Sequence, residues 1–203
     1  MLNFANCLRM IEKLKEQRLF AVGFLALYFL QNEIIYPFES AMRTDSFSSM
    51  ASLIYLPHGM KVFCVLILGV WSLPLIFVAQ TLNTLYFIGS FSWLMLASST
   101  LAMFSVGIPV VLLNRTLKQS IFTPPIEINS ISISTFWLFI SLAFITAMLN
   151  SFMQTLVYGL PDSALPWYFL LGDIVGSAAF FALATGIMAA IKFFQIDNTT
   201  RKL

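Results

Sequence analysis

The only histidine in the chain, His58, stands three residues before Lys61 in the stretch Tyr55-Leu56-Pro57-His58-Gly59-Met60-Lys61, which interrupts an apolar run from about Phe47 to Val70. An imidazole and an ammonium beside a helix-breaking Pro and Gly are costly in hydrocarbon. They persist where protein or water surrounds them, which points to a ligand or ion site. Asp173 is the one acidic residue deep inside a later apolar run. An unpaired charge there costs at least about 2.5–3.5 kcal/mol on insertion scales, so Lys61 and Asp173 are expected to meet as an ion pair.

Neutral polar groups gather at helical spacing around these three. Gln80, Asn83 and Thr84 fall at i, i+3 and i+4, while Thr146, Asn150 and Gln154 follow one another four apart, each set on one face. Glu33 and Gln31 close the first apolar run. The candidate ligand-binding set is therefore His58, Lys61, Asp173, Gln80, Asn83, Asn150, Gln154 and Glu33, with Tyr55, Pro57, Gly59, Gly172 and Gly176 shaping the backbone around it. The bland alternative is that the amides only join helices, through hydrogen bonds of about 0.6–2 kcal/mol each.

Chemistry beyond binding finds little support. The lone histidine has no serine or cysteine nucleophile in a recognisable motif, and Cys7 and Cys64 lack metal or redox spacing. No glycine-rich phosphate loop is present. The reading is of a protein that is not an enzyme, with no metal and no cofactor; an intramembrane enzyme built on His58 and Asp173 is the minor rival.

The elements that must carry these residues are set by composition. Of 203 residues, 59% are hydrophobic and 10% charged, with a mean hydropathy of +0.88. Soluble domains carry about a quarter charged residues, so this deficit selects an all-α polytopic membrane protein whose first partner is the lipid bilayer. A net charge of +2 gives no case for nucleic acid.

Residues 1–18 alternate Leu2, Phe4, Leu8, Ile11 and Leu14 with charged residues, as an amphipathic interfacial helix would. No small-residue cleavage site follows, so an uncleaved anchor is expected. Residues 19–194 should form a six-helix transmembrane domain, and 195–203 a short cytoplasmic tail. The spans are placed at about 19–36, 47–70, 73–88, 91–113, 132–158 and 166–194. Pro37–Ser46 is read as a polar loop, with Ser46 as a cap. The second span is a broken helix interrupted at Pro57–Gly59; a re-entrant Phe47–Leu56 is the alternative. Gly107-Ile108-Pro109 predicts a kink in the fourth.

Charge orients this arrangement. Cytoplasmic termini put Arg9, Lys13, Lys15, Arg18, Arg115, Lys118, Lys192, Arg201 and Lys202 inside and leave Arg43 outside, as the positive-inside rule requires. Trp71, Trp93, Trp137 and Trp167 all fall at predicted helix ends, where an aromatic belt would sit. In this orientation the polar residues crowd into the outer half, which predicts an outward-facing polar cavity. The small residues Gly172, Gly176, Ala179, Ala182, Gly186 and Ala190 would let another helix approach closely, within the monomer or in a homodimer.

Tyr55-Leu56-Pro57-His58-Gly59, the helix ending in Gly69-Val70-Trp71-Ser72-Leu73-Pro74, and the later Gly172-Asp173-Ile174-Val175-Gly176 together resemble the first class of bacterial membrane-associated sensor domains. The resemblance covers about 30 to 50 residues. Members of that family have about eight helices and feed a kinase or cyclic-dinucleotide enzyme; this chain has about six expected helices and no room for an output domain. The resemblance implies an inner-membrane protein that senses a small ligand or membrane state and passes it to a membrane-protein partner. A small carrier or substrate-binding membrane subunit is the second reading, since broken helices with polar midplane groups mark transporters, and a half-helix starting after Gly59 would favour an anionic ligand. An assembly or structural factor is the third.

Overall fold

A computed structural model describes residues 4–42, 52–125, 133–158 and 165–200, with side chains described from residue 17 to residue 187 except at a few helix ends. The amphipathic face expected in residues 1–18, the Ser46 cap, Arg43, residues 47–51 of the expected second span, the turn expected at 159–165 (apart from Leu165) and residues 201–203 lie outside the described parts.

The described chain is helical: α1 (Phe4–Leu30), a π-helical turn (Gln31–Ile35), α2 (Tyr36–Met42), α3 (Leu56–Leu68), a 3-10 turn (Gly69–Ser72), α4 (Leu73–Ile88), α5 (Trp93–Thr116), α6 (Ile133–Tyr158) and α7 (Leu165–Thr200). Five helical stretches among the described residues are long and apolar enough to cross a membrane: Gln17–Met42, Leu56–Tyr86, Trp93–Thr116, Thr135–Val157 and Pro166–Ile187. Six spans were expected. The difference lies in Leu56–Tyr86, which holds most of the expected second and third spans in one stretch.

That stretch is folded back on itself. Gly69 takes φ +62° at the bend, a region open to glycine without a Cβ clash, and Lys61 on α3 reaches Gln80 on α4 at 2.6 Å. The two residues lie at mirror positions about the turn, so the chain reverses direction between α3 and α4. At 1.5 Å per residue α3 is about 20 Å long and α4 about 24 Å, both short of a ~30 Å hydrocarbon core.

Pro57 and Gly59 do not break a helix midway. They sit in the first turn of α3, where a proline's missing N–H is no loss. The interruption is the non-helical segment Ser52–Tyr55 just before it. The expected loop from Pro37 is also overturned, since α2 runs to Met42. Pro37 cannot donate to the carbonyl four residues back, and the ladder absorbs this by slipping into a π turn, with the Tyr36 N–H reaching the Gln31 carbonyl five residues back. Pro109 lies inside α5, which runs on past it as one helix, and α7 carries the expected tail as helix to Thr200.

Packing sorts the apolar residues as a lipid-facing bundle would. Val62, Cys64, Leu68, Ile76, Val106, Val110 and Phe139 are shut off from the surface, whereas Leu19, Val22, Phe29, Tyr86, Phe152 and Leu156 are exposed. Trp93, Trp137 and Trp167 are exposed near helix starts, and Trp71 is partly exposed in the 3-10 turn. A soluble surface does not present so much large apolar area. The chain thus has the composition and shape of a multi-pass membrane protein.

Candidate functional site

His58, in the first turn of α3, points between α6 and α7. Its Nε2 lies 3.0 Å from Thr146 Oγ1, and Thr146 donates its hydroxyl proton to the Ala143 carbonyl at 3.0 Å. With its hydroxyl proton so placed, the threonine oxygen is positioned to accept from His58 in the tautomer that carries the proton on Nε2. The other ring nitrogen, Nδ1, faces Asp173 Oδ2 at 3.2 Å. That approach does not form a hydrogen bond, and Nδ1 has no hydrogen-bond partner. Asn150 donates to the same carboxylate oxygen at 2.7 Å.

The network continues outward through α6 and α5. Gln154 donates to Asn150 Oδ1 at 3.4 Å and accepts from the Ser98 hydroxyl at 2.7 Å. Four elements thus contribute to one chain of polar side chains: α3, α5, α6 and α7. His58, Asp173, Thr146, Asn150, Gln154 and Ser98 are all buried.

Lys61 lies one turn further along α3 and is only 2% exposed. The ion pair expected between Lys61 and Asp173 is replaced: Asp173 meets His58, and the ammonium turns to α4. Its Nζ donates to Gln80 Oε1 at 2.6 Å and sits 5.3 Å from the centre of the Tyr55 ring. Tyr28 and Tyr55 donate to the same amide oxygen at 3.0 and 3.4 Å. Three donors from α1, α3 and the segment before α3 therefore converge on a single neutral acceptor.

The approach to α3 is held by residues that spacing alone did not single out. Glu39 accepts from the N–H groups of Leu53 and Ile54, both at 2.9 Å, and from the Ser52 hydroxyl at 2.9 Å. Gln31, turned inward by the π turn, donates to Ser52 Oγ at 2.8 Å and accepts from the Leu56 N–H at 3.2 Å. A buried glutamate and glutamine at the end of the first span were the available signal, but their partners lie 13 to 25 residues away.

Gly172 and Gly176 serve a backbone, not a helix. The Tyr55 N–H donates to the Gly172 carbonyl at 3.0 Å, and a Cβ on either glycine would run into the backbone of Ser52 or Tyr55. Gly59 completes the contact, since a Cβ there would lie 2.6 Å from Phe180 Cβ and 2.9 Å from Ser177 Cα. The spacing read as a bed for another helix is, at its first two positions, a groove for an extended segment.

Two predicted site residues lie elsewhere. Glu33 is exposed and accepts from Tyr86 at 2.5 Å, and Asn83 accepts from Asn32 at 2.8 Å; both join α4 to the π turn that ends α1. The start of α3 is also no free anion site. Its Leu56 N–H is taken by Gln31, Pro57 has none, and the His58 N–H bonds the Tyr55 carbonyl at 3.1 Å. Among the described residues no group of three or more His, Cys, Asp or Glu side chains is placed to hold a metal ion.

Comparison of the chain with protein-family models, with curated proteins and with solved structures finds no match to any of them.

Proposed function

We propose that this chain is a bacterial inner-membrane, sensor-like protein with cytoplasmic termini, which binds a small ligand at its buried polar cluster and relays the bound state to a membrane-protein partner. The observation that carries the reading is the burial of His58, Lys61 and Asp173, each no more than 2% exposed, with His58 against Asp173 and Lys61 on Gln80, among amides and phenols from α1, α4 and α6. Charged groups at such depth are retained in membrane proteins chiefly where they bind or move something. The resemblance of Tyr55–Gly59 and Gly172–Gly176 to sensor-domain motifs gives the same reading. In the six-pass form of this proposal α3 descends from a non-helical entry on the outer side, and the cluster is reached from that side.

Transport is the second reading, and one feature favours it. The non-helical Ser52–Tyr55 and the π turn Gln31–Ile35 adjoin the polar cluster, as interrupted helices do around carrier sites.

Thermal unfolding of the purified protein against a broad small-molecule library tests both readings, with Lys61→Met and Asp173→Asn alongside. A compound that stabilises the wild type and neither variant is expected. Accumulation of that compound in proteoliposomes then selects transport, and its absence selects sensing. Silence across the library, with both variants folded, would leave the polar cluster as structural glue and sink the proposal.

A further inference from the structure

Resting on that reading, we infer that the ligand is a small monocarboxylate, seated where the Gln80 amide oxygen now lies, and that its binding takes up one proton. The geometry supplies the seat. The Lys61 ammonium and the Tyr28 and Tyr55 hydroxyls point at one oxygen, at 2.6, 3.0 and 3.4 Å. A cation and two phenols around one point make a nest suited to an oxyanion, and the neutral carbonyl oxygen of Gln80 stands in for it. Gln80 and Tyr55 are only half-buried, whereas Lys61 and Tyr28 are buried. Rotation of the Gln80 side chain would open the nest without moving a helix. One oxygen of a carboxylate has the size and in-plane lone pairs of the amide oxygen it replaces.

Charge counting supplies the proton. The groups that titrate inside the cluster are His58 and Lys61 on α3 and Asp173 on α7. Around them stand Tyr28 from α1, Gln80 and Thr84 from α4, Ser98 from α5 through Gln154, Thr146 and Asn150 from α6, and Ser177 from α7. The nearby carboxylate Glu39 is engaged by the Leu53 and Ile54 N–H groups, and Glu33 lies at the surface with Tyr86.

With Lys61 as the free amine, His58 as the neutral imidazole and Asp173 ionised, the cluster carries the charge of Asp173 alone, and each further proton adds one positive charge. It is neutral with one proton and singly positive with two. Low-dielectric surroundings favour the neutral total, whichever group holds the proton. Once a monocarboxylate sits against Lys61, the neutral total requires the second proton. The contact between His58 Nδ1 and Asp173 Oδ2 at 3.2 Å is where it fits: two acceptors repel there, and a proton on either one makes the contact attractive.

The test uses the full chain in lipid nanodiscs, with acetate and propionate as probes and acetamide and methylammonium as neutral and cationic counterparts. Calorimetry in two buffers of different ionisation enthalpy counts the protons, and thermal midpoints across pH follow affinity. The carboxylates are expected to stabilise the protein, with about one proton taken up per anion and affinity falling by up to about tenfold per pH unit as the second proton becomes scarce. Lys61→Met should abolish the response and Lys61→Arg should keep it. Gln80→Glu, which installs a carboxylate in the seat, should abolish it in a protein that remains folded.

Acetate binding with no proton uptake, or an undiminished response in Gln80→Glu, would overturn the inference. Stabilisation by acetamide or methylammonium alone would also overturn it while leaving a ligand-binding protein. No response to these four probes overturns the inference, and only silence across the wider library removes the proposed function with it.

Discussion

The two ends of the bundle are held together by different kinds of bond. At the end carrying Ser52–Tyr55, side chains of different helices also bond to one another: Lys61 to Gln80, Asn150 to Asp173, Ser98 to Gln154. At the opposite end, side chains bond to backbone. Asn114, fully buried near the end of α5, donates to the carbonyls of Ser120, Ile121 and Thr123 and folds the following loop back. The bend at Gly69 rests against that loop near Thr123 and Pro124, with Trp71 and Phe122 ring to ring at 5.5 Å, and Gln17 reaches the Trp71 carbonyl at 2.7 Å.

The difference is one of adaptability. Backbone acceptors are fixed by the helices and turns that own them, so the Asn114 end has essentially one arrangement. Side-chain partners can re-pair by rotation at little expense to the fold, as a site that exchanges a ligand for an internal contact requires.

This contrast can be broken by substitution. The largest effect is expected at Gly176→Leu: its side chain would occupy the backbone of Tyr55, and the loss should reach about 3 kcal/mol or more, the upper range for overpacking. Size-exclusion profiles should show little monodisperse protein. Asp173→Ala comes next at about 2 kcal/mol, because it leaves the buried Asn150 amide without its acceptor, and Asp173→Asn should recover much of that. Thermal unfolding of the two side by side measures the difference.

Asn114→Ala should cost about 1–2 kcal/mol and open the 117–125 loop to protease, leaving any ligand response at the other end intact. The smallest effect belongs to the Ser98–Gln154 pair, whose coupling in a double-mutant cycle should be about 0.6 kcal/mol. A coupling of several kcal/mol there would mean that the polar end is as rigid as the other, and the contrast would fail.

Much of this was legible in the residues. The i, i+4 spacing of Thr146, Asn150 and Gln154 places all three on the buried face of α6, and Asp173 could not have been left facing lipid. The Gly89 and Trp71–Pro74 turns were readable because each carries a local signal: Gly89 caps α4 with φ +74°, and Pro74 opens it. Glu39 and Asn114 were not legible, since their partners are backbone groups of segments distant or irregular in the chain. The pairing of Asp173 was misread for a related reason. His58 and Lys61 lie about 60° apart around α3, close enough that only the rotation of that helix selects which one faces α7.

Composition and periodicity by themselves determined that the chain is helical and membrane-compatible, because hydrocarbon admits only backbones that satisfy their own hydrogen bonds and the apolar runs are long enough to comply. The tertiary structure decided where those helices interrupt themselves and which polar groups meet. Such contacts join Gln31 to Leu56, Lys61 to Gln80 and Gly172 to Tyr55. They depend on crossing geometry and on the absence of two Cβ atoms, and neither is encoded in any local stretch of residues.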